Sequence, residues 1–173
     1  MSLDASKYFH FSVCENDWIS YSPTGGCYKH FTSLMSWEKA RKFCQQNVPY
    51  NVGDLAPVAD AGTNDFLLTL VQDSYAWIGG FLNESSSIWM WSDETLWEFE
   101  NWFDGQPSGD KQTHVAMNFE SSGQWNDEYK NSEKTFICHY KGIKFYIFII
   151  CYYLHIYLFI YFIIITLTIK ISI

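Results

Sequence analysis

Apolar residues recur at helical spacing in two stretches of the chain. After Ser36, the residues Trp37, Ala40, Phe43 and Cys44 fall on one face, with Glu38, Lys39, Arg41 and Lys42 turned outward. That pattern predicts an amphipathic helix with Ser36 as its N-cap. Asp60 is a second capping residue, and Phe66, Leu67, Leu70 and Val71 form the buried stripe predicted for a second helix. Beyond residue 71 the helical period stops. Leu55-Ala56-Pro57-Val58 is a short extended piece, and Trp77-Ile78-Gly79-Gly80 and Trp89-Met90-Trp91 read as strands separated by a polar loop over 83–87. Residues 114–119 alternate as a strand, a turn comes next at 121–123, and 134–140 is the last strand. Between them, 92–113 is polar, rich in turn residues and without period; a loop of that length inside a compact domain is usually functional. Helices first and an antiparallel, β-rich second half predict an α+β fold, two helices packed on short antiparallel sheets with a long loop region.

Charge and cysteines narrow the setting. A formal charge of −8 and no run of Lys and Arg exclude nucleic acid as a partner, because phosphate binding needs a basic face. Cys14, Cys27, Cys44 and Cys138 form an even set, while Cys151 sits apart in an apolar tail. No close pair resembles a zinc motif, so disulfides are expected, with three connectivities open and an oxidising compartment implied. Asn83-Glu84-Ser85 is an acceptor sequon for N-glycosylation, which agrees with an extracellular protein, secreted or anchored at the cell surface. Residues 1–13 form a short N-terminal segment that lacks the apolar core of a signal peptide, so the true start is expected upstream.

The tail supports two readings. Residues 145–169 are 25 consecutive positions without a formal charge, long enough for a transmembrane helix that would anchor the preceding domain. Yet 26 of the 31 residues over 143–173 are Ile, Phe, Tyr, Leu or Lys, all of which have codons made only of A and T. Translation of AT-rich noncoding sequence after Gly142 gives the same composition, so the tail is either an anchor or an artefact of the gene model.

From Cys14 to about Lys141 the ordered pieces resemble the C-type lectin domain, in its long form. They are Cys14 and Cys27, Trp37-Glu38 with Ala40 and Cys44, Trp77-Ile78-Gly79, Trp91-Ser92-Asp93, Asn101-Trp102, Gly105-Gln106-Pro107, Val115-Ala116-Met117, Gly123-Gln124-Trp125-Asn126-Asp127 and Phe136-Ile137-Cys138. The resemblance implies a domain over residues 14–141 with Cys14–Cys27 and Cys44–Cys138 bridges. A further pair that pins the long loop in most of the family is absent, its positions being held by His114 and Lys130.

The resemblance also implies a calcium and sugar cage at Gln106, Ser108, Gln112, Asn126 and Asp127, with Pro107 in the cis form. Gln106, Asn126 and Asp127 match the family's ligands and are the residues expected to hold calcium. Ser108 stands where Asp or Asn is expected, and Gln112 where Glu is expected. One carboxylate then remains, so calcium should be bound weakly or not at all. Glutamine at the first motif position is the family's galactose-leaning form, and Trp97 or Trp102 could stack on a pyranose; packing within the core is the commoner fate of such residues. His10, His30, His114 and His139 are dispersed with no Ser or Cys nucleophile beside them, so no enzyme activity is expected. Taken together, these residues describe an extracellular binding module for glycans with weakened calcium dependence. The alternative is a calcium-independent module for a protein ligand, which a membrane-anchored receptor could carry.

Overall fold

A computed structural model describes residues 11–49, 52–109 and 111–145. The first ten residues lie outside them, as does all but the first position of the membrane span expected over 145–169. Among the described residues no helix is long and apolar enough to cross a membrane.

Both predicted helices form. Helix α1 spans Trp37–Asn47 and buries Trp37, Ala40 and Cys44, with Phe43 only half-buried at the edge of the stripe. Ser36 occupies the N-cap position, but its side chain makes no capping hydrogen bond. The first turn is satisfied from elsewhere: the Lys130 carbonyl accepts from Trp37 N–H at 3.0 Å. Helix α2, Ala61–Val71, does use its cap, Asp60 Oδ1 accepting from Thr63 N at 2.6 Å and from Thr63 Oγ1 at 2.8 Å. Those bonds, the backbone one foremost, hold the Asp60 carboxyl below its ordinary value. The buried face of α2 is Thr63, Asn64, Leu67 and Val71, while Phe66 and Leu70 are half-buried. The expected stripe is therefore rotated, because Asn64 is drawn inward to accept from Trp125 Nε1 at 2.8 Å and to donate to the Gly123 carbonyl. Phe66 stacks instead on Tyr21, with ring centroids 4.3 Å apart.

The strands are β1 (Phe11–Val13), β2 (Ile19–Tyr21), β3 (Gly26–Met35), β4 (Asp54–Leu55), β5 (Ala76–Asn83), β6 (Ile88–Trp91), β7 (His114–Met117), β8 (Trp125–Glu128), β9 (Lys134–Lys141) and β10 (Ile143–Phe145). β1 pairs with β10, and the main sheet runs β2-β3-β9-β5-β7-β8, with β4 on β9 and β6 on β5. Pairing is antiparallel except between β5 and β9, so the sheet is mixed. The Trp-Asn-Asp segment, to which the sequence pattern assigned no element, is the edge strand β8. Its partner β7 fixes Asp127 opposite Val115 and Asn126 opposite Ala116. The two expected disulfides are present: Cys14–Cys27 ties the segment before β2 to β3, and Cys44–Cys138 ties α1 to β9.

Between the helices and the sheet lies a core of Leu67, Val71, Ile78, Trp91, Val115, Met117, Trp125 and Ile137. A second cluster surrounds Trp37, Cys44, Trp77, Phe136 and Cys138. Trp37 and Trp77 each carry an N–H into the interior, and each finds a carbonyl, Ile78 O and Met35 O, at 2.9 Å.

Three histidines sit in this framework with their pKa values depressed, in each case chiefly by burial: His30, His139, and His114 down to about 4. The folded state favours the neutral ring, whereas the unfolded chain takes up a proton near its ordinary value of about 6.5. Their contribution to stability is therefore complete above about pH 6.5 and declines as pH falls towards about 4. Urea midpoints should fall steadily over that window, and a midpoint flat from pH 7 to pH 4 would contradict it.

Candidate functional site

The loop between β6 and β7 is shaped by a small number of anchors. Trp102 forms an isolated bridge with Trp125 of β8, the Phe103 N–H donates to Trp125 O at 2.8 Å, and the Gln106 N–H closes a turn onto Phe103 O at 2.9 Å. Gln106–Pro107 is a cis peptide, as the motif implied, and Gly105 and Gly109 on either side have positive φ.

Asp127 anchors the loop to the sheet. It is fully buried, and both of its carboxylate oxygens are filled by the loop. Oδ1 accepts from Ser108 N at 2.9 Å and from Ser108 Oγ at 3.3 Å, and Oδ2 accepts from Gly109 N at 2.8 Å. The Ser108 hydroxyl also lies 2.7 Å from Gln112 Oε1. Ser108, Gln112 and Asp127 are thus brought together, two of the three with neutral oxygens in place of charged ones.

Asn126 is not part of that bonded group. Alternation along β8 turns it to the other side, where Nδ2 donates to Glu128 Oε1 at 3.4 Å. Its Oδ1 is buried and has no hydrogen-bond partner among the described residues, and the same holds for Gln106 Oε1. A buried acceptor without a donor is costly, and two of them at expected ligand positions suit a cation. The carboxylate, however, already accepts a backbone N–H on each oxygen, so an ion must displace those donors. With the Asp127 carboxylate occupied and Asn126 turned to the other side of β8, the set does not fit a tight calcium site.

Glu128 is the residue that sequence reasoning missed. It meets Lys134 Nζ at 3.4 Å and Tyr75 OH at 3.2 Å, with Ser132 Oγ at 3.4 Å. Burial lowers the Lys134 pKa, with Glu128 working against it, and burial raises that of Tyr75. Reading 125–128 as a strand would have placed Glu128 beside Asn126.

His114 and Lys130, expected at the positions of the family's further cysteine pair, make separate contacts. The His114 ring lies edge-on to Trp37 with centroids 4.5 Å apart, and its Nδ1 is 2.9 Å from Thr113 Oγ1. Lys130 Nζ pairs with Glu38 at 3.4 Å on the exposed surface, where such a pair adds little. The two tryptophans proposed for stacking on sugar are engaged inside an aromatic cluster: Trp97 stacks on Trp91 at 4.3 Å and donates to Glu100, and Trp102 packs on Trp89 at 4.9 Å.

The sequence profile of the Lectin C-type domain matches residues 33–140. The chain belongs to the C-type lectin family. A C-type lectin galactose-binding isoform of Hoplocephalus stephensii is 31% identical over 134 residues, covering 74% of this chain and 84% of its own. One subunit of the snaclec coagulation factor IX-binding protein of Protobothrops flavoviridis is 30% identical over 136 residues, with 72% and 98% covered. Among solved structures, the cow C-type carbohydrate-recognition domain of CD23, determined in the presence of a GlcNAc2Man3 oligosaccharide, superposes with a TM-score of 0.67 at 25% identity, covering 77% of this chain and 99% of that one. The family is one of binding modules, not enzymes.

Proposed function

We propose that residues 14–141 form an extracellular carbohydrate-binding module whose calcium dependence is weakened, with Gln106, Ser108, Gln112, Asn126 and Asp127 as its site. The observation that carries this reading is the occupation of both Asp127 carboxylate oxygens by the backbone N–H groups of Ser108 and Gly109. In a calcium cage the ion draws the loop towards the strand; here backbone donors do so, and the loop keeps a shape that sugar hydroxyls can meet without a tightly held ion. The free oxygens of Gln106 and Asn126 are acceptors for those hydroxyls, or ligands for calcium at high concentration. Gln106 and the galactose-binding relative together favour galactose-type glycans. The two disulfides support an oxidising compartment, and Asn83, at the β5–β6 turn, supports glycosylation there.

A protein ligand is the second reading. It draws on the single carboxylate of the cage and on the relative named for binding coagulation factor IX. Calorimetry on the oxidised protein, with galactose and mannose, in calcium and in EGTA, separates the two. The expected result is sugar heat that favours galactose and falls only a few-fold in EGTA. Abolition of binding by EGTA would refute the weakened dependence, and no sugar heat under either condition would refute carbohydrate recognition.

A further inference from the structure

Two adjoining cavities of about 380 and 360 Å³ share Asp93, His139 and Lys141 as walls. They lie against β9 and β3, with β5 and β7 between them and the β8 edge that carries Asp127. Each is of a size that holds a small ligand or a side chain.

His139 is the unusual member. It is 7% exposed, and its Nδ1 has no hydrogen-bond partner among the described residues. Its Nε2 faces Asp93 Oδ2 at 3.7 Å, beyond hydrogen-bonding distance. Burial keeps the ring neutral against the pull of Asp93 and Asp54, with Lys141 acting in the same direction as burial. A neutral imidazole buried beside a carboxylate, with no hydrogen bond to any described residue, is a group missing its partner. Asp93 is in the same position by half. Oδ1 accepts from Thr95 N at 3.1 Å and from Thr95 Oγ1 at 2.6 Å, whereas Oδ2 has only the distant ring, although the side chain is 12% exposed. Asp54 makes the contrast plain: it lines the smaller cavity too, yet its carboxylate is filled by Arg41, Gln45, Ser92 and Leu55 N–H.

The rest of the larger cavity describes what the missing partner would be. Glu94 and Glu98 add negative charge, with Lys141 the one cation on the wall among the described residues. Tyr28, Pro57 and Leu96 supply an apolar side, and Leu96 is 74% exposed. An anion is repelled by three carboxylates. A planar cation on an apolar stem meets every feature, because a guanidinium is weakly hydrated, offers several N–H donors in one plane and can serve two acceptors at once.

We propose that this cavity is a second binding site, separate from the loop site, that takes the guanidinium of an arginine side chain presented by a peptide or protein partner. Asp93 Oδ2 accepts from the fork, His139 accepts through its unprotonated nitrogen, and the methylene stem covers Leu96 and Tyr28. The site requires nothing of calcium or sugar.

The test is calorimetry on the full oxidised chain with N-acetyl-arginine methylamide, against the citrulline compound of the same shape without charge. Arginine should bind and citrulline should not, with Asp93→Asn weakening arginine by about tenfold or more, as expected for one lost charge-assisted bond. Glu94→Gln with Glu98→Gln, both on the exposed loop, should weaken it a few-fold and provides the test if Asp93→Asn fails to fold. Equal binding of citrulline, or an Asp93→Asn protein of unchanged melting temperature that binds as the wild type does, would overturn the proposal. So would a lysine analogue that binds as well as arginine.

Discussion

Replacing both cysteines of the Cys44–Cys138 bridge with alanine is expected to lower the unfolding free energy by about 4–5 kcal/mol, because the bridge closes a 94-residue loop. That is a large part of the 5–15 kcal/mol typical of a domain, so the reduced protein should sit close to its unfolding transition at 37 °C. The alanine pair is the appropriate variant. Both cysteines are fully buried between α1 and β9, where serine would add an unsatisfied hydroxyl and a single replacement would leave a free thiol. Cys14–Cys27 spans 13 residues, for which the same reasoning gives about 3 kcal/mol. Urea denaturation of the two double variants should therefore show the larger midpoint shift for Cys44→Ala/Cys138→Ala. Equal shifts would mean that loop closure is not what these bridges contribute.

How much of this fold was legible depended on whether one residue's environment is set by its neighbours in sequence. Helix α1 was, since Trp37, Ala40 and Cys44 repeat at the period of one face. The stripe of α2 was displaced because Asn64 answers to Trp125, 61 residues away, and no local pattern announces that bond. Strand β8 was hidden for a related reason. Trp125, Asn126 and Asp127 are all buried, so the segment lacks the alternation of apolar and polar residues by which a half-exposed strand is recognised. Strand β3 buries Cys27 and Tyr28 on its two opposite faces and then has a half-exposed run through His30 and Phe31, which blurs the same signal. At the site, residue types were legible and directions were not. Adjacent residues on a strand face opposite sides, so Asn126 and Asp127 could be assigned to one cage by sequence and still make different contacts in the fold.

The Asp54 network shows the same limit. Arg41, Gln45 and Ser92 converge on that carboxylate from α1 and from the residue after β6, with Ser92 Oγ at 2.7 Å and Arg41 Nε at 3.2 Å from both oxygens. Each is an ordinary surface-type residue in sequence. Together they satisfy a buried charge and hold β4 against β9, next to the half-satisfied Asp93 and His139.

Restoring charge to the loop should restore calcium. The variant Ser108→Asp with Gln112→Glu is expected to bind calcium about 100-fold more tightly than the wild type, because calcium affinity follows the number of carboxylate ligands. The geometry favours this outcome, since Ser108 Oγ lies 2.7 Å from Gln112 Oε1 and 3.3 Å from Asp127 Oδ1, so the new carboxylates arise beside the old one. Without calcium the same closeness is a penalty. Two like charges about 4 Å apart repel by about 4 kcal/mol at an effective dielectric of 20, and the loop must open or take up a proton to relieve it. The variant should therefore melt earlier than the wild type in EGTA and recover in calcium. At a free concentration 100 times the dissociation constant, binding to the native state alone returns about 2.7 kcal/mol. The wild type, whose Asp127 is already bonded to Ser108 and Gly109, should show little response to the same addition. If the melting temperature of the double variant ignores calcium, the five positions do not form a cage, and the orphaned oxygens of Gln106 and Asn126 must be explained by sugar hydroxyls or by water. If the wild type responds as strongly as the variant, a single carboxylate suffices, and displacing the two backbone donors costs less than their bonds suggest.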